Sequence, residues 1–208
     1  MSKNVAILYG HPDGSSDRLS YALAKSYQDA SQLSGHATRM IKLSDLEFNS
    51  VTSQSEFRDG VTPHDILQCQ DTISWADHIL FIFPLWMGSM PGRFKMLLEQ
   101  IFRPGFAIDY TRKGFPGKLL RGKTADIVVT MGMPTVAYQG FQFSHGVRNL
   151  KRNILHFSGI GPVRVTYFGG IDQVKPKTIE KWFNKMTKLG SFPFREQSGN
   201  LSIPLVGF

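Results

Sequence analysis

At 208 residues, with 41% hydrophobic and 19% charged positions, the chain has the size and composition of one globular domain. Its longest apolar run, "ILFIFPLWMG", falls far short of the ~18 residues a membrane helix needs and contains Pro84. The net charge of +8 comes from scattered Lys and Arg without the zinc-finger or stacked-aromatic patterns of nucleic-acid modules, so no nucleic-acid partner is expected. The charge suits phosphorylated cofactors or anionic lipids. Cys69 is the single cysteine, which excludes an intramolecular disulfide and thiolate metal clusters. The N-terminus passes almost at once into "VAILY" with no signal-peptide pattern, so a cytoplasmic location is expected.

In chain order, "NVAILYG" (4–10) reads as a buried strand, and Leu19, Leu23, Tyr27 and Ala30 then recur at helical spacing. "HATRMIKL" (36–43) mixes Arg39 and Lys42 with apolar residues and reads as an edge strand. A more polar helix follows over Pro63 to Trp75. "DHILFIFP" (77–84) is the second strong strand. Phe94, Leu97, Leu98, Ile101 and Phe102 follow the i, i+3, i+4, i+7, i+8 rule of an amphipathic helix. "ADIVVTMG" (125–132) is the third strong strand, followed by a helical stripe of Val147, Leu150, Ile154 and Phe157. "GPVRVTYFGG" (161–170) and a stripe of Ile179, Trp182, Phe183 and Met186 complete the series.

The strong strands lack clean alternation, as parallel strands covered on both faces do. Strand and helix alternate five times, which predicts a doubly wound five-stranded parallel sheet in three α/β/α layers. One domain over 1–190 is expected, with an irregular C-terminal extension over 191–208 whose apolar "IPLVGF" ending packs on a neighbouring subunit.

Ligands of open parallel sheets bind beyond the carboxyl ends of the strands, at the switch in strand order. Three loops there carry unusual residues. In "GHPDGSSDR" (10–18), Ser15, Ser16 and Asp17 are helix N-cap candidates, and the first-turn amides suit an anion. Ser16 adds a hydroxyl and Arg18 a charge. The segment is neither GxGxxG nor GxxxxGK[ST], so it speaks against dinucleotide-fold and P-loop readings. In "PLWMGSMPGRF" (84–94), Trp86 with Met87 and Met90 makes a wall for a flat aromatic ligand, and Gly88 permits close backbone approach. In "TMGMPTVAYQGFQFSHG" (130–146), Thr130, Gly132 and Pro134 form a further turn, with Tyr138 and His145 supplying a phenol and an imidazole. The other histidines are scattered without HExxH spacing, so no metal site is expected. No GxSxG elbow supports nucleophilic hydrolysis.

Together "GHPDGSSDRLS", "PLWMGSMPGRFKMLLEQIFRPGFA", "VVTMGMPTVAY" and "NLKRNILHFSGI" resemble the flavodoxin-fold NAD(P)H:quinone oxidoreductase family, from Val5 to about Leu189. The resemblance implies a flavin site. His11, Ser16, Asp17 and Arg18 match the phosphate-side turn. Pro84, Leu85, Trp86, Met87 and Gly88 match the segment whose amides contact the isoalloxazine. Thr130, Met131, Gly132 and Met133 match the loop along its pyrimidine edge. Tyr138 matches the family's active-site tyrosine, with His145 as second catalytic candidate. Phe106, Ala107 and Ile108 match a segment lining the substrate pocket across a homodimer interface.

The chain also departs from the pattern. Asp17 and Arg18 replace an apolar residue and an asparagine, and a carboxylate beside a phosphate is tolerable only if it caps the helix or pairs with Arg18. Met87 replaces a second aromatic, "MGMP" replaces a more glycine-rich turn, and the family histidine falls on Ser144, one residue before His145.

The activity implied is two-electron hydride transfer from NAD(P)H through the flavin to a quinone or similar flat acceptor. FMN is expected over FAD, because the chain is short and reserves no residues for adenine. The alternative is an ancillary flavoprotein subunit of a potassium-efflux transporter, a peripheral membrane role that the basic charge and apolar tail would suit.

Overall fold

The computed structural model describes residues 2–111 and 114–191. In chain order it runs β1 (Asn4–Tyr9), α1 (Leu19–Leu33), β2 (Ala37–Lys42), α2 (Gln54–Asp59), α3 (His64–Trp75), β3 (His78–Pro84) and α4 (Gly92–Ile101). A two-residue antiparallel pair, β4 (Ile108–Asp109) with β5 (Gly117–Lys118), precedes β6 (Thr124–Met131). Then come α5 (Thr135–Gly140), α6 (His145–Asn149), β7 (Val163–Gly169) and α7 (Pro176–Ser191).

The main sheet has five strands in the order β2-β1-β3-β6-β7, every pair parallel. This is the doubly wound arrangement expected, with "HATRMIKL" at an edge. The direction of winding changes between β1 and β3, so the loops after those two strands flank the switch point.

Each inner strand is buried on both faces, which explains why its apolar residues run without a break. Ala6, Leu8, Ile79, Phe81, Phe83, Ile127 and Val129 belong to one core with residues of α3 and α4 and the 145–158 segment. Val5, Ile7, Tyr9, Leu80, Ile82 and Val128 belong to a second core with residues of α1 and α7. The helices thus form the two outer layers.

Three local expectations change. Helix α1 begins at Leu19 with Arg18 as its N-cap and no side-chain cap, so Ser15, Ser16 and Asp17 do not cap it. The reason is local competition: the Ser15 amide donates to Asp13 Oδ1, and the Asp17 amide to Ser15 Oγ, closing a turn before the helix starts. Second, Leu150–His156 is π-helical and continues α6. The wider turn places Leu155, five residues after Leu150, in the core and leaves Phe157 38% exposed, so the stripe predicted at α-helical spacing loses its phase. Third, α2 was not predicted, although Ser53 Oγ accepts the Glu56 amide while the Glu56 carboxylate accepts the Thr52 amide. That reciprocal arrangement is a capping-box variant. The expected packing of the C-terminal extension falls almost wholly on 192–208, outside the described residues.

Candidate functional site

The second and third loops meet at the carboxyl end of the sheet around a cavity of about 370 Å³, lined by Leu85, Met87, Gly88, Met131, Gly132 and Met133, with Gln142. The six named first come from the loop and strand segments that the sequence singled out. Pro84 and Thr130 are register partners at the ends of β3 and β6, and the Leu85 amide donates to the Thr130 carbonyl at 2.8 Å, which ties the two walls together.

The β3–α4 wall is a tight turn. The Trp86 amide donates to Ser89 O at 2.8 Å and the Ser89 amide to Trp86 O at 3.0 Å. Its corners, Met87 (φ 48°) and Gly88 (φ 78°), are both left-handed, the geometry of a type I′ turn. Glycine accepts this at no cost, whereas Met87 carries about 1 kcal/mol of strain. The Met87 side chain is fully exposed and Trp86 is 48% exposed. The other two left-handed non-glycine residues among those described, Phe143 (φ 48°) and Ser144 (φ 51°), lie in the α5–α6 connection beside Gln142. Strain gathered around one cavity, on both walls, marks a site whose shape outweighs local comfort.

The residues fit a flat heteroaromatic group. A Cβ at Gly132 would meet an Asp172 carboxylate oxygen at 2.6 Å, and one at Gly88 would meet Gln142 Oε1 at 2.8 Å, so the two glycines let Asp172 and Gln142 pack directly against the cavity-lining backbone. Gln142 Oε1 is buried without a hydrogen-bond partner. Apolar walls with a few convergent polar groups are the usual make-up of a cofactor site, and the volume is of the usual size.

The first loop reaches this site through His11. Its ring packs edge-on against Trp86 at 6.0 Å and stacks on Tyr9 at 6.1 Å. Burial, then the Arg18 charge, lowers the His11 pKa below its ordinary value, so the ring is neutral at pH 7. Its Nδ1 accepts the Asp13 amide at 3.0 Å, which leaves the Nε2 proton as the donor. Arg18 does not pair with Asp17. Its Nε and Nη2 both donate to one oxygen of Asp13, Oδ2. Ser16, Asp17 and Arg18 are exposed at the start of α1. An anion there would meet the first-turn amides, Arg18 and two carboxylates, Asp13 and Asp17.

Tyr138 is fully buried. Its hydroxyl donates to the Gly88 carbonyl at 3.3 Å, its ring packs edge-on to Tyr167, and burial raises its pKa. His145 is exposed and stands against Phe143 rather than Tyr138. Within one chain the structure does not bring Phe106, Ala107 and Ile108 to the 370 Å³ cavity. Ala107 and Ile108 are buried, and Ile108 lines a separate cavity of about 200 Å³ with Phe102, Tyr110 and Phe157. Gln142 and Asp172 were missed because each becomes part of the site only through a connection with no sequence signature. Among the described residues no cluster of His, Cys, Asp or Glu suits a metal ion, and no helix is long and apolar enough to cross a membrane.

Sheet order, switch-point loops and a cavity between them define a ligand-binding doubly wound α/β domain. The chain belongs to the flavodoxin-like fold family, whose model matches residues 3–189. A Haemophilus influenzae protein named as an uncharacterized NAD(P)H oxidoreductase is 29% identical over 178 residues, covering 84% of this chain and 87% of that protein. An FMN-dependent NADH:quinone oxidoreductase 2 of Listeria innocua is 35% identical over 105 residues, about half of each chain. Among solved structures, the NAD(P)H:quinone oxidoreductase of Methanothermobacter marburgensis superposes with a TM-score of 0.81 at 21% identity, over 93% of this chain and all of that one. At that identity the likeness is one of fold.

Proposed function

We propose that the chain is an FMN-dependent NAD(P)H:quinone-type oxidoreductase. The observation that carries this reading is the cavity between the Trp86–Ser89 turn and Met131–Met133, with apolar walls and the backbone of Gly88 and Gly132 in its lining. The names of the relatives agree with it and favour an enzyme over an ancillary transporter subunit.

FMN, when bound, supplies two-electron hydride chemistry. Leu85, Met131 and Met133 give its ring an apolar bed that excludes water. The Met87 and Gly88 backbone sits where peptide donors can meet charge that accumulates on the ring, an arrangement worth about 3 kcal/mol per donor in other enzymes. His11, through its Nε2 proton, and the α1 amides receive the phosphate end, where Arg18 offsets the Asp13 and Asp17 carboxylates. Trp86 and the fully exposed Met87 form the rim on which a nicotinamide or quinone stacks in turn.

Titration of the protein into FMN should quench flavin fluorescence at micromolar concentration, a binding free energy of about −8 kcal/mol. Trp86→Ala should weaken FMN roughly two- to tenfold, as expected for loss of one stacking partner. Its stability should scarcely change, because half of the side chain is already in water. An unaltered FMN affinity in that variant removes Trp86 from the site, and no binding by the parent ends the assignment.

The active unit is a homodimer in which Phe106, Ala107 and Ile108 of one subunit border the site of the other. Exposed Tyr110 and Phe157, which line one cavity with Ile108, support this. Light scattering should give twice the chain mass; a fully active monomer defeats the proposal.

A further inference from the structure

We propose that Tyr138 acts as a positioning residue, setting the cofactor-facing Trp86–Ser89 turn from behind through the Gly88 carbonyl, and that it is not the proton donor to the acceptor. The proposal rests on the flavin reading for its link to function.

The phenol has one proton, and that proton is directed to Gly88 O at 3.3 Å. With no exposed surface, the hydroxyl meets an acceptor in the cavity only if the turn moves away. The turn is held closely from the same side by other groups. A Cβ at Gly146 would lie 2.6 Å from Gly88 O and from Ser89 Cα, and one at Gly88 would lie 2.8 Å from Gln142 Oε1.

The connectivity has a consequence for the site. Gly88 C=O and Ser89 N–H belong to one peptide unit, and Ser89 N–H donates to Trp86 C=O. Trp86 C=O and Met87 N–H belong to the next unit. A chain of dipoles therefore runs from the Tyr138 hydroxyl through two peptide groups to the Met87 amide, within a segment that lines the cavity. Hydrogen bonds in such a series polarise one another, so a proton donated at Gly88 O strengthens the donor at Met87. The same bond restrains a turn that Met87 would not adopt unaided.

Tyr138→Phe removes the hydroxyl and keeps the ring that packs on Tyr167. In the cofactor-free protein, amide hydrogen exchange at Ser89 should quicken about three- to tenfold, the worth of one ordinary hydrogen bond. FMN affinity should fall by a similar factor, while the pH profile of turnover keeps its shape. Replacement of Tyr138 by 3-fluorotyrosine, a stronger donor, should move exchange and affinity the other way, and it serves if the phenylalanine variant does not fold. Parent-like exchange at Ser89 overturns the proposal. So does faster exchange with unchanged FMN affinity, which would cut the turn off from the site. A lost pH limb at unchanged exchange and affinity would instead make Tyr138 the proton donor. If the parent binds no flavin, the functional reading fails, and the exchange measurement still decides whether Tyr138 holds the turn.

Discussion

Asp126→Ala is expected to lower the unfolding free energy by about 3 kcal/mol, the low end of the range for breaking a buried ion pair. Asp126 is 1% exposed in β6. Its two oxygens accept Arg164 Nε and Nη2, each at 2.6 Å, and the Oδ2 atom also lies 3.2 Å from His78 Nε2 and 3.5 Å from the Tyr27 hydroxyl. Removal of the carboxylate leaves groups from three other elements facing an empty buried position. The Arg164 side chain is 35% exposed and so can regain some hydration, which keeps the cost at the low end.

Burial alone would raise the Asp126 pKa. Hydrogen bonds from His78 and Arg164, and then their charges, more than offset it and hold the carboxyl below its usual 3.8. Its stabilisation is therefore complete above that pH and is lost as the pH falls through the lower folded-state value. Urea unfolding at pH 7 and an acid titration followed by circular dichroism check both parts. The variant should lose stability at pH 7 and show a flatter acid limb. A change within about 0.5 kcal/mol at pH 7 would mean that the network is incidental. The cluster lies near the amino ends of β3, β6 and β7, opposite the cavity, so FMN affinity in the folded variant should stay near the parent value.

Gly146→Ala is expected to damage the site together with stability. Gly146 lies in α6, outside the left-handed region, and alanine favours a helix over glycine by up to about 1 kcal/mol. The added methyl, however, would lie 2.6 Å from Gly88 O and Ser89 Cα, and 2.9 Å from Ser89 Oγ. Two of these atoms are backbone and cannot rotate away, so the Trp86–Ser89 turn must shift toward the cavity. Overpacking of this kind costs roughly 1–3 kcal/mol, and charged to cofactor binding it corresponds to a loss of about tenfold or more in FMN affinity. A melting temperature lowered by a few degrees, the helix gain offsetting part of the overpacking cost, with weakened FMN binding is the expected pair of results. Parent-like FMN affinity would show that the turn yields without narrowing the cavity.

Residue types along the chain suffice for the sheet and for the neighbourhood of the site. Val5–Tyr9, Ile79–Phe83 and Ile127–Val129 are apolar on both faces because helices cover both sides of a parallel strand, and that burial is written into residue type. Leu85, Met87, Gly88 and Gly132 were legible because they follow such strands directly, and the strand's end fixes where they emerge. The edge position of β2 was legible from Arg39 and Lys42. The spacing of Ser53 and Glu56 that starts α2 is likewise a local pattern carried by the sequence.

Only the tertiary structure decided the rest, because the deciding partners are remote in sequence or depend on phase. Arg18 chose Asp13 over Asp17 through a turn closed by backbone amides. The π-helical run after Asn149 shifted which residues face the core, and residue periodicity does not announce such a change of pitch. Phe106 to Ile108 ended beside a different cavity, since a segment that matches a shared substrate pocket need not border the site of its own chain. Tyr138 sits eight residues after Thr130 as the resemblance requires, yet the hydroxyl's direction was set by Gly88, fifty residues away. Spacing along the chain reports which groups gather at a site, whereas the atom each one faces depends on how separate segments pack.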